Sequence, residues 1–199
     1  MAADGIPAHR RRPAAETRIE ARARRGAIED PETVLAAAAR LLESRQRTVH
    51  EVRHRLTVAG YRPDLVEGAV ARLAQLGYLD DAEFARAWVA SRDRAHPRGE
   101  RALRVELARK GVAREIVDDV LGERGEAAAA ETPAEDEPGA HASPDARAAA
   151  RLLESRRAAL ERVEDPRRRR ERAYGLLARA GFDPDAAREA VEGFVRREA

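Results

Sequence analysis

The stretch Leu76-Gly77-Tyr78-Leu79-Asp80-Asp81-Ala82-Glu83-Phe84-Ala85 predicts the end of one helix and the start of the next. A glycine such as Gly77 readily adopts the left-handed conformation that closes a helix. Asp80 or Asp81 is a favoured N-cap residue for the helix that follows. Tyr78 and Leu79 are expected to fold back onto the core. The stretch therefore predicts two helical units that meet at a tight turn.

A related pattern recurs along the chain: a leucine, three residues, a glycine, an apolar residue and a new helix start. It spans 56–61, 107–112 and 177–182, with the glycines 51 and 70 residues apart. Apolar residues recur at helical spacing around each copy. The recurrence predicts an all-α fold in which three tandem three-helix repeats form an elongated, curved array. Because a three-helix unit is small, neighbouring units are expected to share buried surface.

Composition and periodicity divide the chain into five segments. They are a disordered basic N-terminal arm at 1–29, repeat 1 at 30–76, repeat 2 at 77–122, a flexible acidic Ala/Glu/Pro insert at 123–142, and repeat 3 at 143–199. The arm and the insert lack a sustained apolar period, which is typical of unstructured segments. The arm either contacts nucleic acid or is a solvated tail.

The composition excludes several classes of protein. The 199 residues contain no cysteine, so disulfides and thiolate metal sites are excluded. No run of about 18 apolar residues predicts a membrane span, and the N-terminus lacks an apolar signal core, so a cytoplasmic location is expected. Charged residues make up 37% of the chain, yet the formal net charge is only +2. Lys110 is the only lysine, and the abundant arginine suits either carboxylate and phosphate binding or a bias in genomic base composition.

One motif suggests catalysis, but its context does not support it. His50-Glu51-Val52-Arg53-His54 matches the His-Glu-x-x-His pattern of zinc proteases. With Val52 and Leu56 facing the core, both histidines point to solvent, and no third ligand follows. Glu51 is expected to be the capping-box partner of Thr48. We therefore predict no metal, cofactor or catalytic residue, and hence no enzyme.

Exposed basic residues are the candidate binding site. The residues we select from predicted exposure are Arg45, Arg47, Arg53, Arg92, Arg94, Arg98, Arg101, Arg104 and Lys110. Such side chains can neutralise phosphates, bind acidic protein surfaces, or pair with nearby glutamates in solvent. Phe84 and Trp88 could stack on bases, but their helical spacing with Ala85 and Val89 predicts core positions.

The sequence also resembles a known family, the RecX regulatory proteins. The resemblance covers about residues 34–122 well and is looser in the third repeat, while the arm and the insert depart from it. It rests on Leu41-Leu42-x-x-Arg45, on Thr48-x-x-Glu51-Val52-x-x-x-Leu56-x-x-x-Gly60, on the Leu76–Ala85 stretch, and on Leu103-x-x-Glu106-Leu107-x-x-Lys110-Gly111-Val112. The Leu-Asp-Asp-x-x-Phe-Ala element is the most specific of these.

The resemblance implies three tandem three-helix repeats and a regulator of RecA recombinase without catalysis of its own. It implies binding to RecA and the RecA–DNA filament, inhibition of recombinase, ATPase and co-protease activity, and an effect on DNA repair and the SOS response. Direct binding to single- or double-stranded DNA is a further implication. The residues alone leave an alternative open, a stand-alone DNA-binding protein built of helix-turn-helix-like triplets. No membrane partner is expected, and the chain is expected to be a monomer.

Overall fold

A computed structural model describes residues 17–130 and 143–197, and every regular element in these ranges is a helix. The helices are α1 (Arg18–Gly26), α2 (Pro31–Leu42), α3 (Val49–Ala59), α4 (Pro63–Gln75), α5 (Asp81–Ala95), α6 (Glu100–Arg109), α7 (Arg114–Ala130), α8 (Pro144–Ser155), α9 (Arg157–Glu161), α10 (Pro166–Arg179) and α11 (Pro184–Arg196). The all-α prediction is confirmed. No helix in the described residues is long and apolar enough to span a membrane.

Aspartates begin the helices where the sequence predicts. Asp30 and Asp183 each accept backbone N–H groups of the following turn, at 2.8–3.2 Å. Asp165 does the same from Arg167 at 2.9 Å, and Asp80 from Ala82 and Glu83 at 2.8 and 2.9 Å. Proline follows three of these four aspartates, since the first helical position needs no N–H donor.

The repeating leucine–glycine pattern forms a helix-closing turn. Gly60, Gly111 and Gly181 have φ values of 104°, 78° and 82°. Each is followed by an apolar residue whose N–H donates back to the leucine carbonyl of the pattern at 3.2 Å. Only glycine adopts such φ values without strain, so these three turns fix where α3, α6 and α10 end.

The helices form three units, α2–α4, α5–α7 and α8–α11, which we call units 1, 2 and 3. Each has its own buried apolar cluster, containing Val52 and Leu56 in unit 1, Leu103 and Leu107 in unit 2, and Leu177 in unit 3. The three clusters do not merge. Neighbouring units share buried polar residues such as Thr48 and Asp145 rather than one apolar core.

Two predicted unstructured segments contain helix. In the arm, Thr17 and Glu20 form a capping box that begins α1. In the insert, α7 continues to Ala130, because the side chains of Glu123 and Arg124 bond to Arg86 and Asp93 on α5. The disorder prediction is wrong for these parts. Residues 1–16 and 131–142 lie outside the described residues, and the exact domain boundaries stay a prediction.

At the turn between units 1 and 2, the structure differs from the sequence prediction in the side chain of Tyr78. Leu79 is buried as predicted, but Tyr78 is 69% exposed. Tyr78 donates its N–H to the Leu73 carbonyl at 2.9 Å, so its backbone closes the helix while its ring stays outside. Phe84 is buried and stacks on Trp88, with ring centroids 5.9 Å apart, which confirms the prediction for Phe84. Trp88 is only partly buried.

Candidate interaction surface

The units are joined by a contact that occurs twice. Where unit 1 meets unit 2, the Thr48 hydroxyl donates to the Lys110 carbonyl at 2.6 Å. Where unit 2 meets unit 3, the Gly99 N–H donates to the Ala180 carbonyl at 3.1 Å. Thr48 and Gly99 are the N-cap residues of α3 and α6, and both acceptors directly precede a turn glycine. We call these contacts the first and the second joint.

An aspartate completes each joint. Asp81, in the first turn of α5, accepts the N–H of Val49 at 2.9 Å. Asp145, in the first turn of α8, accepts the N–H of Glu100 at 2.9 Å. Each carboxylate thus satisfies a free N–H at the start of the previous unit's second helix and complements its dipole. Burial raises the pKa of Asp81, although the bond from Val49 opposes this.

The first joint carries a charged cluster. Glu51 accepts from Lys110 Nζ at 2.9 Å and pairs with Arg45 at 3.0 Å. Burial opposes ionisation of Glu51, but these bonds outweigh it and lower the pKa of the carboxyl. Thr48 does cap the Glu51 N–H, at 3.1 Å. The Glu51 side chain, however, binds across the joint rather than completing the predicted capping box.

A second carboxylate gathers basic residues around Trp88. Glu106 accepts from Trp88 Nε1 at 2.8 Å and from Arg92 Nε at 2.7 Å, and it lies 3.6 Å from Arg98. The Arg92 guanidinium and Lys110 Nζ lie 4.4 and 5.0 Å from the Trp88 ring centroid. The exposed face of Trp88 is thus covered by cations, which stabilise it by cation–π attraction.

The second joint contains the most buried ion pairs of the array. Arg124 bonds Asp93 with two nitrogens at 2.8 and 2.9 Å and Asp145 with a third at 2.7 Å. Its side chain is 11% exposed, and that of Asp145 is 9% exposed. Burial disfavours the Arg124 charge, but the two carboxylates outweigh it and raise the pKa of Arg124. This single arginine connects α5, α7 and α8.

Most of the predicted binding residues are already engaged within the molecule. Beyond Arg45, Arg92, Arg98 and Lys110, those engaged are Arg53 with Glu67, Arg104 with Glu100 and Asp118, and Arg47 with the Leu41 carbonyl. Burial lowers the pKa of Arg47, which serves the fold of the 43–48 loop rather than a surface. Among the described residues, Arg94 and Arg101 are exposed without an acidic partner. The structure therefore brings Arg45, Arg92, Arg98 and Lys110 together at the first joint and leaves two of the nine unpaired.

Sequence reasoning missed Arg124, Asp145 and the run Arg167–Arg170. Arg124 lies in the 123–142 segment, which the sequence predicts to be a linker. Asp145 had a signal, since it follows a helix start as Asp81 does. The arginine run is visible in the sequence, and Arg167, Arg170 and Arg172 make no side-chain ion pair with the rest of the described chain.

The two histidines of the protease-like motif do not form a metal site. Their rings stack on α3 at 6.1 Å, and both residues are exposed. His50 lies against Gly111 of unit 2. Within 17–130 and 143–197, no group of three or more His, Cys, Asp or Glu is placed to bind a metal ion.

Comparison with known proteins identifies the family. The regulatory protein RecX of Mycobacterium avium is 35% identical over 161 residues, which cover 80% of this chain and 83% of that protein. The chain belongs to the RecX family. The regulatory protein RecX of Deinococcus radiodurans is also 35% identical, over 193 residues that cover 94% of this chain and 83% of that protein. Models of the first and second three-helix domains of RecX match residues 35–73 and 80–121.

A solved RecX structure has the same fold. The crystal structure of RecX from Lactobacillus salivarius superposes with a TM-score of 0.67, covering 83% of this chain and 96% of that chain, at 18% identity. Some RecX relatives match a shorter part: that of Mycolicibacterium smegmatis is 42% identical over 89 residues, or 45% of this chain and 47% of that protein. The tandem three-helix array predicted from the sequence is confirmed as the RecX fold.

Proposed function

We propose that this chain binds RecA and the RecA–DNA filament and restrains recombinase, ATPase and co-protease activity in the cytoplasm, thereby modulating DNA repair and the SOS response. Membership of a family of regulatory proteins is the observation that carries the proposal. The chain acts by binding, without a cofactor or a reaction of its own. Its array presents basic side chains from successive units, which suits an extended and negatively charged partner.

Arg94 and Arg101 are the first residues that we assign to this surface. They lie in the last turn of α5 and the first turn of α6, on either side of one loop, and have no acidic partner among the described residues. An unpaired arginine offers its whole fork to a carboxylate or a phosphate. Three other arginines already bind a glutamate or aspartate of this chain: Arg53, Arg92 and Arg104. They contribute only if the partner displaces that carboxylate, which reduces the net gain in binding free energy.

The direct test is the ATPase rate of RecA on single-stranded DNA, titrated with this protein, with DNA binding by this protein alone measured in the same buffer. We expect inhibition well below one molecule per RecA, because a bound regulator affects a cooperative filament. Inhibition only near saturation of the DNA would instead indicate the alternative, a stand-alone DNA-binding protein that competes for the strand. An unchanged ATPase rate would contradict the proposal.

A pair of variants locates the surface. Arg94→Glu with Arg101→Glu is expected to raise the concentration needed for half-inhibition at least about tenfold, since each charge reversal removes an attraction and adds a repulsion. Arg188→Glu with Arg196→Glu makes the same change of charge on α11 and serves as the control. Equal effects of the two pairs would show that net charge, rather than this surface, determines inhibition.

A further inference from the structure

Unit 3 is the last unit within the described residues, and its outer face contains a pocket. The pocket has a volume of about 170 Å³ and lies between α10 and α11. Its lining consists of the partly buried Val195, the buried Ala173, Val191 and Phe194, and Pro166, Arg167, Arg169 and Arg170. Cavities of about 150 Å³ lined by apolar side chains accept benzene-sized groups. The pocket therefore has room for one large apolar side chain.

The pocket lies on the face that joins units elsewhere in the array. Arg169 and Arg170 precede Gly181 by 12 and 11 residues, as Gly99 and Glu100 precede Gly111 and as Thr48 and Val49 precede Gly60. Those four residues of units 1 and 2 supply the donors of the two joints, Thr48 through its hydroxyl and the others through backbone N–H groups. The two arginines thus occupy the joint position of unit 3, and within the described residues no further unit covers it.

The two joints show which chemistry this position accepts. Both occupants bring a carboxylate from the first turn of a helix, Asp81 in one case and Asp145 in the other. In unit 3 the donors have changed. Because α10 starts at Pro166, one turn earlier than α3 and α6 relative to the turn glycine, the N–H of Arg170 lies inside the helix. The guanidinium groups of Arg167 and Arg170 are the donors that remain, and neither meets an acid in the described chain.

A second copy of the chain is a poor occupant. To extend the array, it would have to present the Ala59 carbonyl and Gly60, the counterparts of Lys110–Gly111 and Ala180–Gly181. In the structure α1 already covers them: Arg25 Nη1 donates to the Ala59 carbonyl at 3.2 Å, and Arg22 packs against Gly60. Within the described residues, α1 thus covers the N-terminal end of the array, while no further element covers the pocket end.

We propose that the outer face of unit 3 is a docking site for an acidic segment of a partner protein, which places one apolar side chain in the pocket and its carboxylates on Arg167 and Arg170. The apolar lining favours a peptide over nucleic acid, because a phosphate backbone gains nothing from the partly buried Val195. The inference is independent of the proposed function, since it concerns the chemistry of the segment and not the identity of its owner.

The test uses the full chain and a fluorescein-labelled peptide with the sequence of residues 79–84, Leu-Asp-Asp-Ala-Glu-Phe, which combines apolar and acidic side chains. The control peptide replaces both aspartates by asparagine and the glutamate by glutamine. We expect anisotropy titrations to give a Kd below about 1 mM for the acidic peptide and at least tenfold weaker binding of the control. Failure of the acidic peptide to bind, or equal binding of the two peptides, would overturn the proposal.

Matched variants locate the peptide. Arg167→Glu with Arg170→Glu is expected to weaken peptide binding at least about tenfold. Arg168→Glu with Arg172→Glu changes the same charge on the same helix, away from the pocket, and is expected to leave the Kd within about twofold. Circular dichroism checks that both variants keep their helicity. Equal weakening by the two pairs of substitutions would indicate an unspecific cationic surface and contradict the docking site. Displacement of the peptide by an oligothymidine to the same extent from both variants would have the same meaning.

Discussion

The two joints use one geometry with different chemistry. At the first joint a threonine hydroxyl reaches the neighbouring carbonyl, which leaves room for His50 beside Gly111. At the second joint the donor is the backbone N–H of Gly99, so the two backbone segments meet at Gly99 and Gly181 without an intervening side chain. The first joint is surrounded by partly exposed charges, the second by the buried Arg124 network. The second joint therefore depends on close packing and a buried charge, whereas the first can adjust through side chains.

Loss of the Arg124 guanidinium is expected to have the largest effect. Arg124→Met removes the guanidinium that Asp93 and Asp145 share and leaves Asp93 only Arg151, at 3.7 Å. It should lower the free energy of unfolding by about 3 kcal/mol, as for other buried ion pairs that lose one member. Denaturant unfolding followed by circular dichroism measures it. Arg86→Met is the control, because the Arg86–Glu123 pair is exposed, and it should cost about 0.5 kcal/mol. Similar losses in both variants would remove the distinction between buried and exposed pairs.

A methyl group at Gly99 tests the close approach of the second joint. Gly99 has φ −72° and ψ 158°, which alanine adopts freely, but a Cβ there would overlap the Gly181 carbonyl. Gly99→Ala should destabilise the chain by about 2 kcal/mol through overpacking. Gly122→Ala, in a helix where an added Cβ meets no other residue within 4 Å, should instead stabilise it by about 0.5 kcal/mol. Thermal unfolding of both variants would show the opposite signs, and a neutral Gly99→Ala would mean that the units do not touch there.

The hydroxyl of Thr48 tests the first joint. Thr48→Val keeps the shape but loses the bond to the Lys110 carbonyl and the cap on the Glu51 N–H, so a loss of about 1.5 kcal/mol is expected. Thr48→Ser retains the hydroxyl and should stay within about 0.5 kcal/mol of the wild type. The free energy of unfolding, compared across the three proteins, checks both values. If Thr48→Ser lost as much free energy of unfolding as Thr48→Val, the methyl group rather than the hydrogen bond would stabilise the joint.

The smallest expected effect depends on pH. Because the folded state lowers the pKa of Glu51 below its ordinary value of 4.5, the bonds to Lys110 and Arg45 stabilise the fold above that value. Their contribution is lost as the pH falls through the lowered pKa. Glu51→Gln should therefore cost about 1 kcal/mol at pH 7 and less at pH 3, which is below the ordinary pKa of 4.5. Unfolding measured at both pH values would contradict this if the difference persisted in acid.

The fold followed from local signals, whereas the joints did not. Asp-Pro starts and leucine–glycine turns act within a few residues, so their positions can be read directly from the sequence. Arg124 is stabilised by Asp93 and Asp145, 31 and 21 residues away, and no short pattern encodes such pairs. For the same reason exposure of the arginines was overestimated: Arg53 meets Glu67 only after α3 and α4 pack together. The helix α1 could have been predicted from Thr17 and Glu20, which form a capping box.

Small-angle X-ray scattering of the wild type and Arg124→Met tests most directly whether three separate apolar cores are held together by polar joints. Helicity is measured on the same samples. Breaking the network should free unit 3 from unit 2 and increase the radius of gyration, while each unit keeps its own core and the helical signal is unchanged. A variant with the same radius of gyration as the wild type, or one that loses most of its helix, would contradict this description of the array.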